Sequence, residues 1–258
     1  MDTTHTTDQI GALRDSAPDE LAGRIITVMS GKGGVGKTLL SMELAYCLDA
    51  VLLDLDWDGG GATRALGYLH ERYQRAPLLD ALDTGKPPRP KRMSRRPDLV
   101  PSHPDLEANQ PEATDTAGLV TSWAQHWGRP VVCDTHPGGS PATLGACAAA
   151  DLVVMPVILG TRELNALEQT LDELAQYPLL LVPNWVTATP PAAERRRLRA
   201  IAETYGAAVS SAVVREYRWL RTRKLRTVVS ASPTVSARSG PVMNDMATLA
   251  GEVTRYAG

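Results

Sequence analysis

Apolar residues in this chain fall into short continuous runs, separated by stretches where they recur every three or four positions. The runs at 25–29, 51–55, 131–134, 152–157 and 179–182 are rich in Val, Ile and Leu, and their length predicts strands. The intervening pattern predicts helices at 37–48, 117–127, 162–176 and 192–205. In the third of these, Leu164, Leu167, Leu171 and Leu174 mark one face. A strand that is apolar throughout must be covered on both faces. Alternating with helices, such strands predict an α/β fold: a mainly parallel twisted sheet with helices on both sides. No internal repeat is visible.

Two stretches break this rhythm. Residues 1–23 are polar and read as a flexible N-terminal arm, with at most a short helix near 9–14. Residues 85–115 are rich in proline and charge, opening with Lys86, Arg89, Lys91, Arg92, Arg95 and Arg96. Core-type strands resume at Val131, so this stretch reads as a surface excursion within one domain spanning 24–258.

Composition narrows the class. Acidic and basic residues number 29 and 27, so net charge alone predicts no polyanionic partner and any such site must be local. Three cysteines, Cys47, Cys133 and Cys147, stand at no metal-ligand spacing, which fits a reducing cytoplasm. The stretch 142–160 is the most apolar, yet an Ala-rich helix feeding a strand explains it better than a membrane span.

The strongest chemical signal is Gly31-Lys32-Gly33-Gly34-Val35-Gly36-Lys37-Thr38, which fits the phosphate-binding pattern G-x-x-x-x-G-K-[ST]. A predicted strand precedes it and a predicted helix follows. Glycines let backbone N–H groups turn inward around phosphate oxygens, and the helix N-terminus adds partial positive charge. Gly33, Gly34, Val35, Gly36, Lys37 and Thr38 are therefore the expected nucleotide-binding residues. Lys37 would neutralise the terminal phosphates, and Thr38 would offer its hydroxyl to Mg²⁺.

The run from Lys32 to Thr38 resembles the deviant Walker A box of the ParA/MinD ATPases. The resemblance implies that Lys32 is that family's extra lysine, reaching across an ATP-dependent homodimer to the partner's phosphates. It extends to Val51-Leu52-Leu53-Asp54-Leu55-Asp56, implying a water-orienting role for Asp56 and support of the magnesium site by Asp54. Here the chain departs from the family: Trp57-Asp58 stands where Pro-Gln is usual. Pro130-Val131-Val132-Cys133-Asp134 resembles the strand whose Asp134 would hold magnesium, and Leu180-Leu181-Val182-Pro183-Asn184 the strand whose Asn184 would read adenine. His136 and Cys133 receive no catalytic role.

Positive charge gathers at Arg215, Arg218, Arg221, Arg223, Lys224 and Arg226, with Arg195, Arg196, Arg197 and Arg199 forming a second cluster. The first cluster resembles the segment with which ParA proteins contact DNA, so it implies sequence-independent binding to double-stranded DNA phosphates. The resemblance thus implies a partition ATPase, cytoplasmic and nucleoid-associated, with ATP and Mg²⁺ as cofactors and a ParB-type centromere-binding partner. The C-terminal stretch has one basic residue and no aromatic wedge of the kind membrane-binding relatives carry. Two alternatives stay open: a MinD-like ATPase positioning cargo at a membrane or on a protein, and an ATP-dependent synthase of the dethiobiotin synthetase kind.

Overall fold

The computed structural model describes residues 3–59, 61–69, 76–222 and 226–258; of Thr3, Thr4, Arg221 and Thr222 it describes the backbone. Its centre is a parallel sheet built from β1 (Ile25–Val28), β2 (Val51–Leu55), β3 (Asp98–Val100), β4 (Val131–Thr135), β5 (Leu152–Val157), β6 (Leu179–Pro183) and β7 (Ala208–Val209). Their order is β3-β2-β4-β1-β5-β6-β7, and every pairing is parallel. The fold class expected from the apolar runs is the one found. All residues of β1, β2, β4, β5 and β6 are buried, as strands covered on both faces must be.

The helices are α1 (Thr3–Glu20), α2 (Lys37–Cys47), α3 (Ala62–Ala65), α4 (Pro77–Thr84), α5 (Ala113–Trp127), α6 (Pro141–Ala149), α7 (Thr161–Leu174), α8 (Ala192–Tyr205) and α9 (Gly240–Ala257). Leu164, Leu167, Leu171 and Leu174 of α7 are buried together, as their spacing requires.

The expectation of a flexible N-terminal arm is corrected. Residues 3–20 form α1, which packs against α9 and α2. Ile10, Ala17 and Leu21 are buried in the main core. Arg14 adds contacts to the carbonyl of Tyr46 and to the Asp49 carboxylate. The polar composition conceals a sparse apolar stripe at positions 10, 13, 17 and 21, sufficient for one buried face.

The sheet order places the chemistry. β1 lies between β4 and β5, with β2 on the far side of β4. Val28 is in register with Asp134, and Asp54 with Asp134. The loops leaving β1, β2 and β4 therefore emerge side by side at the carboxyl edge, where open α/β sheets bind ligands.

Candidate nucleotide-binding site

The loop after β1 turns on Gly34 at φ +78° and Gly36 at φ +94°, both in the left-handed region that side chains resist. Gly36 caps α2 and faces a crowded neighbour: a Cβ there would lie 2.5 Å from Nδ2 of Asn184. The Ser30 hydroxyl donates to the Lys32 carbonyl at 2.7 Å, and the Gly138 N–H to the Ser30 carbonyl at 3.0 Å. The loop is thereby tied to the segment following β4.

The two loop lysines occupy opposite environments. Lys37 is buried, while Lys32 and Gly31, Gly33 and Gly34 around it are exposed. Burial lowers the pKa of Lys37; the nearby charges of Asp134 and Asp56 oppose that shift and favour its ammonium form. Lys37 thus lies among carboxylates at the floor of the loop, and Lys32 projects from its rim.

Asp134 ends β4 with no exposed surface. Its Oδ1 accepts a hydrogen bond from the Ser41 hydroxyl at 2.9 Å, whereas the buried Oδ2 has no partner. Burial pushes its pKa up to about 6, against the pull of Ser41 and of Lys37. A buried carboxylate oxygen without a donor is costly unless something else completes it. With the Thr38 hydroxyl and Lys37 beside it, this acceptor fits a hydrated Mg²⁺ attached to a phosphate chain. The donor set suits the cofactor pair expected from the loop.

Asp54 is engaged within the protein. Its Oδ2 accepts from the Thr63 N–H at 2.6 Å and hydroxyl at 2.5 Å, and its Oδ1 from the Asp56 N–H at 3.0 Å. Both oxygens are occupied in folding the loop after β2 onto α3. Burial, with the Asp134 charge next, raises its pKa well above the usual carboxylate range. The Thr63 hydroxyl in turn accepts from the Ser102 N–H at 2.8 Å, linking the loop after β3 to the same carboxylate. Asp54 braces the loop after β2 through these three hydrogen bonds.

Asp56 is better placed for chemistry. Burial raises its pKa, opposed by the Asp58 N–H, His136 and Lys37. Its Oδ1 accepts from the Asp58 N–H at 3.0 Å. The departure at Trp57-Asp58 builds a contact that the sequence reading missed: the Trp57 indole stacks on the His136 imidazole, and Asp58 Oδ2 lies 3.3 Å from His136 Nε2. The loops after β2 and β4 are joined there. The unusual Trp-Asp pair was the available signal; that its partner is His136, 79 positions from Trp57, is visible only in the fold.

Asn184 ends β6 fully buried, and its Nδ2 donates to the Val35 carbonyl at 2.6 Å. Through Nδ2 the amide holds the phosphate loop against β6, while its buried Oδ1 has no partner among the described residues. Ser41 is a second residue the sequence reading passed over, since one serine within a helix carries no pattern.

The basic cluster is divided. The Arg215 guanidinium is paired with Asp245 and also donates to the Pro241 carbonyl at 3.2 Å. Asp245 accepts a further hydrogen bond from the Tyr217 hydroxyl at 2.8 Å. Arg218 and Arg226 are exposed. Arg223, Lys224 and the side chain of Arg221 lie outside the described residues.

Solved structures with this fold include the septum site-determining protein MinD of Pyrococcus horikoshii complexed with Mg-ADP. It matches with a TM-score of 0.67 and 18% identity, over 91% of this chain and 97% of that one. A putative plasmid partition protein of Borrelia burgdorferi bound to AMPPNP matches at 0.63 and 18%, over 89% and 99%. By sequence, the uncharacterized protein Rv3660c of Mycobacterium tuberculosis is 32% identical over 154 residues, 56% of this chain. The match spans 42% of that relative, less than half its length. The model of the CobQ/CobB/MinD/ParA nucleotide binding domain matches residues 26–229, most of the chain, and the protein belongs to that family.

Proposed function

We propose that the protein is an ATP hydrolase that switches between a monomer and an ATP-dependent homodimer, and that the dimer binds double-stranded DNA without sequence preference. The observation that carries this reading is the division of the two lysines, one buried beside Asp134 and one exposed at the rim. A lysine that serves its own nucleotide belongs at the floor of the loop. A second, held at the rim and not needed there, is suited to phosphates presented by another copy of the chain, as an arginine finger supplied in trans would be.

In this reading, the loop N–H groups and Lys37 bind and orient the phosphate chain, while Thr38 and Asp134 hold the Mg²⁺. The bound ion supplies charge neutralisation at the phosphates. Asp56 holds the attacking water, and Trp57 and His136 keep the two loops that flank it together. Lys32 of a second copy adds positive charge as the dimer closes, so hydrolysis and assembly are coupled. DNA would be held through phosphate contacts from exposed arginines, Arg218 and Arg226 among them. The fold likeness to a putative partition protein supports a role in moving DNA, with a ParB-type protein as the partner that stimulates turnover. Most of the apolar face of α9 is buried against α1 and α2, which supports a reading in which that helix does not insert in a bilayer. Among the described residues, no helix is long and apolar enough to cross a membrane.

The test compares two substitutions in one loop. Lys37→Ala should abolish ATP binding by calorimetry. Lys32→Ala should bind ATP but remain monomeric by light scattering, with turnover lowered accordingly. Equal loss of ATP binding in both variants, or an unchanged dimer in Lys32→Ala, would overturn the trans assignment.

A further inference from the structure

Residues 85–97 link α4 to β3, and they are held more firmly than a solvated loop requires. The Trp123 indole donates to the Gly85 carbonyl at 3.1 Å, and the Trp127 indole to the Pro88 carbonyl at 3.2 Å. Lys91 and Leu99 exchange backbone hydrogen bonds of 2.7 and 3.0 Å across an antiparallel bridge. Pro87, Pro88 and Pro90 restrict φ in the chain between these anchors. Arg95, at φ +57°, donates its Nε to the Ala231 carbonyl at 3.1 Å.

On this fixed backbone, several cationic side chains reach solvent. Lys86, Arg89, Arg92 and Arg95 are exposed, whereas Pro88 is buried and Pro90, Lys91 and Met93 are half-buried. Arg92 lies 3.7 Å from Asp98 but is 86% exposed, so that pairing holds little of its charge. Asp80 is the acidic neighbour on the adjacent groove.

The strap also meets Arg226 of the 215–226 cluster. Lys91 lies over the Tyr68 ring, 5.5 Å from its centroid. Beside Tyr68, the Arg226 side chain covers Gly67 so closely that a Cβ on Gly67 would fall 2.3 Å from Arg226 Cδ. Lys91 and Arg226, 135 positions apart in the chain, thus adjoin through Gly67 and Tyr68.

We propose that the strap and Arg226 form one continuous cationic tract that receives the phosphate backbone of a nucleic-acid duplex. It rests on the DNA-binding reading above and assigns most of that binding to residues outside the 215–226 cluster. The tract suits a regularly charged polymer better than an acidic protein. Protein interfaces carry an apolar or aromatic centre, and the exposed large hydrophobics among the described residues, Val213 and Tyr256, are not part of the strap.

The test uses the full chain with a slowly hydrolysed ATP analogue and two unrelated fluorescent duplexes across a salt series. Replacing Lys86, Arg89 and Arg92 together by Ala should weaken both duplexes at least tenfold. Each lost phosphate contact should flatten the log–log salt slope by about 0.9. ATP turnover and the melting temperature should be unchanged, because the three side chains are exposed and not part of the phosphate loop. Replacing Arg195, Arg196 and Arg199 of α8 removes the same charge and should leave the slope near that of the parent. If the strap variant keeps the parental affinity and slope, the tract is wrong while the DNA reading stands. If the parent binds neither duplex in any nucleotide state, the DNA reading itself fails. Loss of poly-glutamate binding with duplex affinity intact would assign the strap to an acidic protein and overturn the proposal.

Discussion

The Trp57 and His136 rings stack with centroids 4.0 Å apart and planes 8° from parallel, although one follows β2 and the other follows β4. Asp56 and Asp134 lie one and two residues from the stacked rings, so the stack fixes the distance between the two loops that carry the reacting groups. A well-made aromatic pair is worth about 0.5–1.5 kcal/mol beyond its buried area. Trp57→Ala should therefore bind ATP with near-parental affinity but turn it over several-fold more slowly, since a water held between loosened loops is mispositioned. Trp57→Phe, which can retain stacking, should recover most of the rate. Steady-state turnover beside equilibrium ATP binding checks both; equal rates in all three proteins would leave the stack without a role in hydrolysis.

Asp56→Asn tests the water itself. The substitution keeps the size of the side chain and removes its charge and basicity. Turnover should fall by roughly 10²-fold or more, the scale of losing a positioned general base. ATP binding should persist, and dimers formed with ATP should dissociate more slowly. Single-turnover kinetics with light scattering on the same sample reads both quantities.

The fold was legible wherever burial leaves a mark on composition. The strands at the centre of the sheet, covered on both faces, appear as unbroken apolar runs. β3 and β7 are edge strands of three and two residues, too short to generate a period. α1 was obscured because its buried stripe is set among polar residues, and its docking on α9 joins opposite ends of the chain. At the site, the loop glycines and Lys37 were readable because phosphate chemistry dictates their spacing. The partners that Asp54, Asn184 and Arg215 take within the fold were not readable. Each is engaged by a group far along the chain or by a local backbone turn: Thr63, the Val35 carbonyl and Asp245. Residue type states what a side chain can bind, and packing decides which partner reaches it first.

Glu252 supplies a pH prediction away from the nucleotide. Its carboxylate on α9 accepts hydrogen bonds from the Ser210 hydroxyl at 2.6 Å, the Ser211 N–H at 3.0 Å and the Ala212 N–H at 3.0 Å. Burial alone would raise its pKa, but these donors outweigh it and the value is lowered from the ordinary 4.5. A depressed folded value means stability fully present above the unfolded value and lost as pH falls through the folded one. Glu252→Gln should cost about 1–3 kcal/mol near neutral pH, the range for a charge-assisted buried hydrogen-bond set. The gap between variant and parent should narrow as pH falls below the ordinary glutamate value and through the lowered folded one, where the parental carboxylate also becomes protonated. Urea unfolding at several pH values measures it, and a gap independent of pH would assign the cost to shape rather than charge.

Gly36 joins backbone strain, packing and ligand binding at one atom. Its φ of +94° is a conformation that an L side chain rarely adopts, and a Cβ there would meet Asn184 Nδ2 at 2.5 Å and Trp185 Nε1 at 3.3 Å. Asn184 is fully buried and is held by the Val35 carbonyl, so it cannot withdraw without giving up that hydrogen bond. Gly36→Ala therefore meets two independent costs: about 1–2 kcal/mol for the left-handed backbone, and the displacement of a buried amide, about 1–3 kcal/mol if its partner is left unsatisfied. The loop N–H groups also lose their inward aim, so ATP binding should fall below detection even where the chain remains folded. A partial remedy distinguishes the two costs. Asn184→Ala removes the colliding amide but also strips the Val35 carbonyl of its donor, so the double variant should lose less stability than the sum of the two singles, while the left-handed strain persists and ATP binding stays impaired. Melting curves for the two singles and the double, with calorimetric titration of ATP into each, give the coupling directly. Strict additivity of the two stability losses would show that Gly36 and Asn184 do not constrain each other.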